Sequence, residues 1–265
     1  MLEAIFAGIF GLIIGSFLNV CVYRMPRDIS VARPSRSFCP SCERTISWTD
    51  NIPVLSYMLL RARCRHCDAA IPVRNPIVEF ATGLLFFLIV LWLGPSLEAL
   101  KYCVFAAIQV ALIAMDFEER ILADEFTLGG ILIGLAFAAI VPMPVGLLQL
   151  LLPEEWPWRL VSVAESGFSA LVLSLMLFLI ASIYEKVRGK EGLGFGDVKM
   201  VGMIGAFLGL APALLTVVAA SVLGSVIGII YILLSRKDAK TYELPFGSFL
   251  GAAALCTAVW VRITR

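Results

Sequence analysis

The chain has 265 residues, of which 60% are hydrophobic and 15% charged, and its mean hydropathy is +0.93. That balance excludes a water-soluble globular domain and points to an integral membrane protein. A formal net charge of +1 gives no electrostatic reason for a nucleic-acid partner, and none is expected, although nine of the 21 Lys and Arg fall between Arg24 and Arg74.

Apolar stretches lie near 4–23, 77–93, 98–115, 126–141, 161–184, 198–212, 213–234 and 245–261. Most approach the roughly 20 residues a helix needs to cross a bilayer. The expectation is therefore an all-α polytopic membrane protein with about eight transmembrane helices. The first stretch has Glu3 as its only early charge and runs on through "GSFLNVCVYRMP" without a small-x-small cleavage site. This predicts a helix that stays in the membrane rather than a cleaved signal peptide.

The following loop, 24–76, carries "CPSC" at Cys39 and Cys42 and "CRHC" at Cys64 and Cys67, with 21 residues between the two pairs. That spacing suits a tetrahedral zinc ribbon or knuckle. Cytoplasmic thiols stay reduced, so a metal site is expected over disulfides, and the metal would hold folded a loop too polar to build a core. His66 could stand in for one sulfur, but four cysteines already complete a shell, so it reads as a solvated loop residue. Cys21, Cys103 and Cys256 lie in apolar stretches and read as small buried residues.

Farther along, "VGLLQLLLPEEWPWRLV" is apolar but broken by Pro153 and Pro157, and Trp156, Trp158 and Arg159 suit a segment lying on the membrane surface. Basic residues concentrate in 24–76, "EKVRGKEG" and "SRKDAK", whereas "LGPSLE" and "VPMPVG" carry none. The positive-inside rule then puts 24–76, 116–125, 185–197 and 235–244 in the cytoplasm. Arg262 and Arg265 fall outside, a violation that a short tail tolerates.

This topology sets two acidic residues at one depth. Asp116, in "ALIAMDFEERILADEF", closes the third stretch, and Asp197, in "GLGFGDVKM", opens the sixth. Either alone reads as a helix-end charge, favoured at a helix start by the dipole and free N–H groups. Together they read as a dyad. Two carboxylates in one low-dielectric site cannot both ionise easily, so the pair serves as base and acid for peptide hydrolysis. Gly194 and Gly196 remove side chains on either side of Phe195 and would let an extended peptide approach. No rival nucleophile is evident, since His66 has no serine or acid arranged around it.

At these residues the chain resembles the GxGD membrane aspartic peptidases, and in particular the bacterial type IV prepilin peptidases. The likeness runs from about Gly15 to Gly205 through "GSFLNVCVYRMP", "CPSC", "ISWTDNIPVLSYMLLRARCRHC", "IPVRNPIVEF" and "GLGFGDVK". It implies that Asp116 and Asp197 are catalytic, and that the substrate is a prepilin or pseudopilin cut at the cytoplasmic face of the bacterial inner membrane. It also implies that the new amino terminus is methylated with S-adenosylmethionine, the cysteine domain contributing.

Gly194, Gly196, Lys199, Glu118 and Asp124 are expected to support the turn and the substrate, and the acidic cluster of Glu118, Glu119, Asp124 and Glu125 would attract a basic leader. Glu79, in "IVEF", reads either as a participant in methyl transfer or as an interfacial carboxylate paired with Arg74. The family often has Asp where this chain has Glu118, and Pro where it has Ala123. The expected organisation is a first transmembrane helix at 1–23, a cytoplasmic four-cysteine zinc domain at 24–76 and a helical peptidase domain at 77–265, embedded in a lipid bilayer. A proton-coupled transporter would place acidic residues in the middle of spans, where none is found, and a zinc-loop adaptor leaves the Gly-Phe-Gly-Asp turn unexplained.

Overall fold

A computed structural model describes residues 1–143, 146–153, 155–189, 193–235 and 245–263. Ten α-helices run through them: α1 (Leu2–Arg24), α2 (Leu55–Leu59), α3 (Arg74–Leu93), α4 (Leu97–Glu119), α5 (Asp124–Ala138), α6 (Leu147–Leu151), α7 (Trp158–Arg188), α8 (Phe195–Leu208), α9 (Leu210–Ser235) and α10 (Phe246–Ile263). Among the described residues, extended pairing is limited to two isolated bridges, Phe38 with Thr45 and Arg63 with Ala70. Residues 236–244 of the basic segment predicted at 235–244, residues 190–192 of that at 185–197, and Arg265 lie outside the described residues.

Each apolar stretch of the sequence lies wholly or largely within one of these helices. Five of them, α1, α3, α4, α7 and α9, are long and apolar enough to cross a membrane. The others, α5, α8 and α10, have 15, 14 and 18 residues, so helix length alone accounts for five of the eight predicted crossings. The boundary expected between 212 and 213 falls earlier. Gly209, at φ 88°, takes a left-handed conformation that ends α8, and α9 starts at Leu210.

The chain divides into two compact units, Met1–Met115 and Asp116–Arg265. In the first, α1 packs along α3. Ile5, Phe6, Ile9, Phe10, Ile13 and Phe17 face outward from α1, as a lipid-facing stripe would. The opposite face carries Gly11 and Gly15. A Cβ on Gly11 would stand 2.8 Å from the Thr82 carbonyl oxygen, and one on Gly15 would stand 2.6 Å from the Glu79 Cα. With no hydrophobic drive between helices in lipid, such small-residue seams let backbones meet and gain dispersion contacts.

The second unit is built around α8, which touches α5, α7, α9 and α10 and is buried from Asp197 to Leu208 except at Lys199. Small polar residues stitch it to α7: the Ser166 hydroxyl donates to the Ala206 carbonyl at 2.7 Å, and Ser174 to that of Val198 at 3.3 Å. Glu165 of α7, 2% exposed, accepts the Leu148 N–H at 2.8 Å and so ties down α6. Around this buried centre, α9 turns Val218, Val222, Val226, Ile229 and Leu233 outward.

Candidate active site and metal centre

The loop after α1 is organised by Arg24, which is buried at the helix end. Its guanidinium donates to the carbonyls of Ser30, Val31, Pro34 and Arg36 at 2.8 to 3.1 Å and lies 5.4 Å over the Phe38 ring. Phe38 leads into the first of two matching turns. The Cys39 N–H donates to the Arg44 carbonyl at 3.0 Å and that of Cys64 to Ala69 at 2.8 Å; the N–H groups of Glu43 and Asp68 return to the carbonyls of Cys39 and Cys64 at 2.8 and 3.1 Å. In each turn the acidic residue after the second cysteine has a positive φ, 56° at Glu43 and 54° at Asp68. Two knuckles of one design thus present four sulfurs inward.

Those sulfurs, on Cys39, Cys42, Cys64 and Cys67, lie within 4.8 Å of one another. Cys39 Sγ and Cys67 Sγ are 3.8 Å apart, the edge of about 3.8 Å that zinc–sulfur bonds of about 2.3 Å give a tetrahedron. The backbone N–H groups of His66 and Cys67 draw the Cys64 thiol down to about 7. At Cys67 the Ala69 N–H acts in the same direction, but desolvation and the neighbouring sulfurs outweigh it and push that thiol up to about 12. One thiolate opposes the next, and a cation at the centre relieves that conflict. The donor set therefore fits a thiophilic metal ion. His66 stands outside the cluster, exposed, 3.4 Å from Arg44 Nη1.

In the second unit, Asp116 occupies the last turn of α4, which Arg120 ends at φ 54°, and Asp197 the first turn of α8, its N–H donating to the Gly194 carbonyl at 3.1 Å. The carboxylates are 6% and 9% exposed, and close enough that the charge of Asp116 acts on Asp197. A third helix end joins them. At the start of α10 the Ser248 N–H and hydroxyl donate to Asp116 Oδ2 at 2.5 and 2.8 Å, so Asp116 accepts from the first turn of that helix, where N–H groups have no partner within the helix itself. Gly247 permits this, since a Cβ there would stand 3.0 Å from Asp116 Cγ. Sequence reasoning missed Gly247 and Ser248. The signal was the run Pro245-Phe246-Gly247-Ser248, a proline and a small pair opening an apolar helix.

The remaining predicted residues divide. A Cβ on Gly194 would stand 3.3 Å from Asp197 Oδ2, and one on Gly196 would stand 3.1 Å from Leu122 Cβ. Lys199 pairs with Asp124 at 2.5 Å and lies 4.8 Å over the Phe195 ring, joining the starts of α8 and α5. Glu118 is exposed just beyond Asp116. Glu79 belongs to the first unit, where Oε2 accepts the Val54 N–H at 2.7 Å. Among the described residues no ion pair joins it to Arg74, whose Nη2 donates to Asn75 Oδ1 at 3.0 Å.

Comparison with known proteins finds two family matches along the chain. Residues 9–93 match the bacterial Peptidase A24 N-terminal domain, and residues 103–229 match the type IV leader peptidase family. The chain is 35% identical to a protein of Myxococcus xanthus (strain DK1622) named prepilin leader peptidase/N-methyltransferase, over 98% of this chain and 72% of that protein. Proteins of the same name from Pseudomonas putida and Neisseria gonorrhoeae are 32% and 30% identical, over 96% and 97% of this chain and 89% of each relative. No solved structure matches significantly. Two family matches in tandem and relatives aligned over nearly its whole length place this chain in the type IV leader peptidase family.

Proposed function

We propose that the chain is a bifunctional membrane enzyme. It removes the short basic leader from type IV prepilins or type II secretion pseudopilins at the cytoplasmic face of the bacterial inner membrane, and then methylates the new amino terminus. The observation that carries the peptidase half is the placing of two buried carboxylates, Asp116 and Asp197, at the ends of two helices and within electrostatic reach of each other. The relatives' shared name supports both halves and lends nothing to transport or adaptor roles.

The dyad holds one proton between two carboxylates. The ionised member takes a proton from water, whose oxygen attacks the scissile carbonyl carbon, while the other member gives its proton to the carbonyl oxygen. The proton taken from water then passes to the departing nitrogen and the C–N bond breaks. A hydroxyl proton of the tetrahedral intermediate returns to the pair, which regains its starting state. Ser248 holds one oxygen of Asp116 in place, while Gly194 and Gly196 keep side chains out of the approach. Glu118, Glu119 and Glu125 attract the basic leader, and Asp124 with Lys199 braces the helix start.

Cys39, Cys42, Cys64 and Cys67 would hold zinc with every position filled by protein, so the ion holds the 24–76 domain folded and presents no open position for chemistry. Bound S-adenosylmethionine supplies an electrophilic methyl group. The cytoplasmic orientation follows from the arginines of the loop, with peptidase chemistry assigned to the helical body from 77 to 265. The test is to incubate the detergent-solubilised protein with a prepilin-like peptide and S-adenosylmethionine and follow the products by mass spectrometry. One cut, then a gain of one methyl group on the new terminus, is expected; an intact peptide overturns the reading.

A further inference from the structure

Within the first unit a cavity of about 460 Å³ opens between the cysteine loop and the ends of α1 and α3, in the range of small-molecule sites, about 300 to 1,000 Å³. The rings of Tyr23, Phe38 and Tyr57 line it, and Asn19 and Glu79 form part of its wall. These last two are polar groups more than nine-tenths buried, 8% and 9% exposed. Asn19 Nδ2 donates to the Asn75 carbonyl at 2.9 Å, and Oδ1 has no hydrogen-bond partner. Glu79 is held by the Val54 N–H, and Ser16 and Asn19 stand beside its carboxyl. Val54 is a β-branched residue at φ 60°, a strained conformation that the surrounding structure imposes and that clusters at functional sites.

Arg24, Arg44, Arg65 and Arg74 share the cavity lining, but among the described residues none forms an ion pair with Glu79, and a buried carboxylate without an ion pair and a buried carbonyl without a donor are each costly. One ligand answers both: a protonated amine, which brings a positive charge and several N–H donors. We propose that this cavity is the methyl-transfer site, in which Glu79 and Asn19 receive the amino group freed by cleavage; the assignment rests on the methyltransferase reading above. A peptide α-amine has a pKa of about 7.7 to 8.0 and is mostly protonated at neutral pH. Glu79 takes one proton, and Asn19 Oδ1 accepts a remaining N–H and so aims the nitrogen. The nitrogen lone pair bonds to the methyl carbon of the sulfonium donor. The carbon–sulfur bond breaks with its electron pair left on sulfur, giving a thioether and a methylated ammonium, and Glu79 later releases its proton to water. The close seam at Gly15 presses α1 onto Glu79, and Asn19 lies one helical turn farther along α1.

The test uses the full-length protein and a leaderless peptide with a free amino terminus, so that cleavage is not needed. Methyl transfer by E79Q is expected to fall about 10-fold at pH 7, where an amine of pKa about 7.7 to 8.0 is still roughly a tenth unprotonated, and to recover toward pH 10, where the amine sheds its own proton. E79D should recover part of the loss, and N19L should lose about 10-fold, with hydrogen bonds to charged groups worth about 1.5 kcal/mol. Binding of S-adenosylmethionine, measured by equilibrium dialysis, should stay within about 3-fold in E79Q, and leader cleavage and metal content should match the wild type. Methyl transfer by E79Q at the wild-type rate, or E79Q losing donor binding while keeping peptide binding, overturns the assignment. A wild-type protein that transfers no methyl group at all removes the methyltransferase reading itself.

Discussion

The cysteine loop and the carboxylate pair solve the same problem, gathering distant residues into one site, by opposite means. Each knuckle of the loop is closed by its own backbone, Cys39 to Arg44 and Cys64 to Ala69, and the two need only a shared ion to hold them. The carboxylates have no such local frame. Asp116, Asp197 and Ser248 sit on the ends of three helices, with Ser248 132 positions from Asp116, and only the packing around α8 sets their spacing. A site of the first kind should fail when its ion leaves, and a site of the second kind when a helix end shifts.

The largest effect is expected from C42S combined with C67S, since a hydroxyl is a far poorer ligand than a thiolate. Metal content should vanish and methyl transfer should fall at least about 100-fold, because the loop walls the cavity holding Glu79 and loses its folding energy with the ion. Cleavage should persist at roughly a tenth of wild type or better. Elemental analysis, gel shift and mass spectrometry on one preparation would report all three, and equal loss of both activities would join the two sites. The converse variant is G247V, which forces a branched side chain against Asp116. A shift of about 1 Å in a catalytic group costs on the order of 100-fold, so cleavage should fall by about that factor with the metal retained.

S248A sharpens the same point on a finer scale. It removes the hydroxyl donor and leaves the N–H, a loss of about 1.5 kcal/mol, or about 10-fold, that should appear in kcat with KM unchanged. The smallest effect belongs to Asp50, whose carboxylate accepts two bonds from Arg65 at 2.6 and 2.8 Å and is held below the usual range by that guanidinium. Its contribution is fully present above the unfolded value, about pH 4, and is lost as pH falls through the lower folded value. The pair lies at the surface, with Arg65 60% exposed, so D50N should cost no more than about 1 kcal/mol at pH 7 in thermal melts, and the difference from wild type should close in acid.

Much of this was legible in the chain, and the gaps have physical reasons. The four cysteines could be read because a metal imposes spacing on sequence, and the placement of Asp116 and Asp197 because a charge at the edge of an apolar run is costly. Gly247 and Ser248 could not, because nothing local marks a helix start as the partner of a residue so far away. The break at Gly209 lies a few residues before the expected boundary, since a glycine of positive φ leaves no mark on hydropathy. The cavity at Glu79 was equally hidden, because a strained Val54 and an unpartnered Asn19 oxygen are properties of packing.

Cleavage requires Asp116 and Asp197 to act as one unit, and single-turnover cleavage by D116N, D197N and the double variant tests that directly. Each single variant should lose at least about 1,000-fold, the double variant should be no slower than either, because residues acting together are not additive, and methylation of a leaderless peptide should continue at the wild-type rate. An Asn variant that cleaves within about 10-fold of wild type would contradict the dyad.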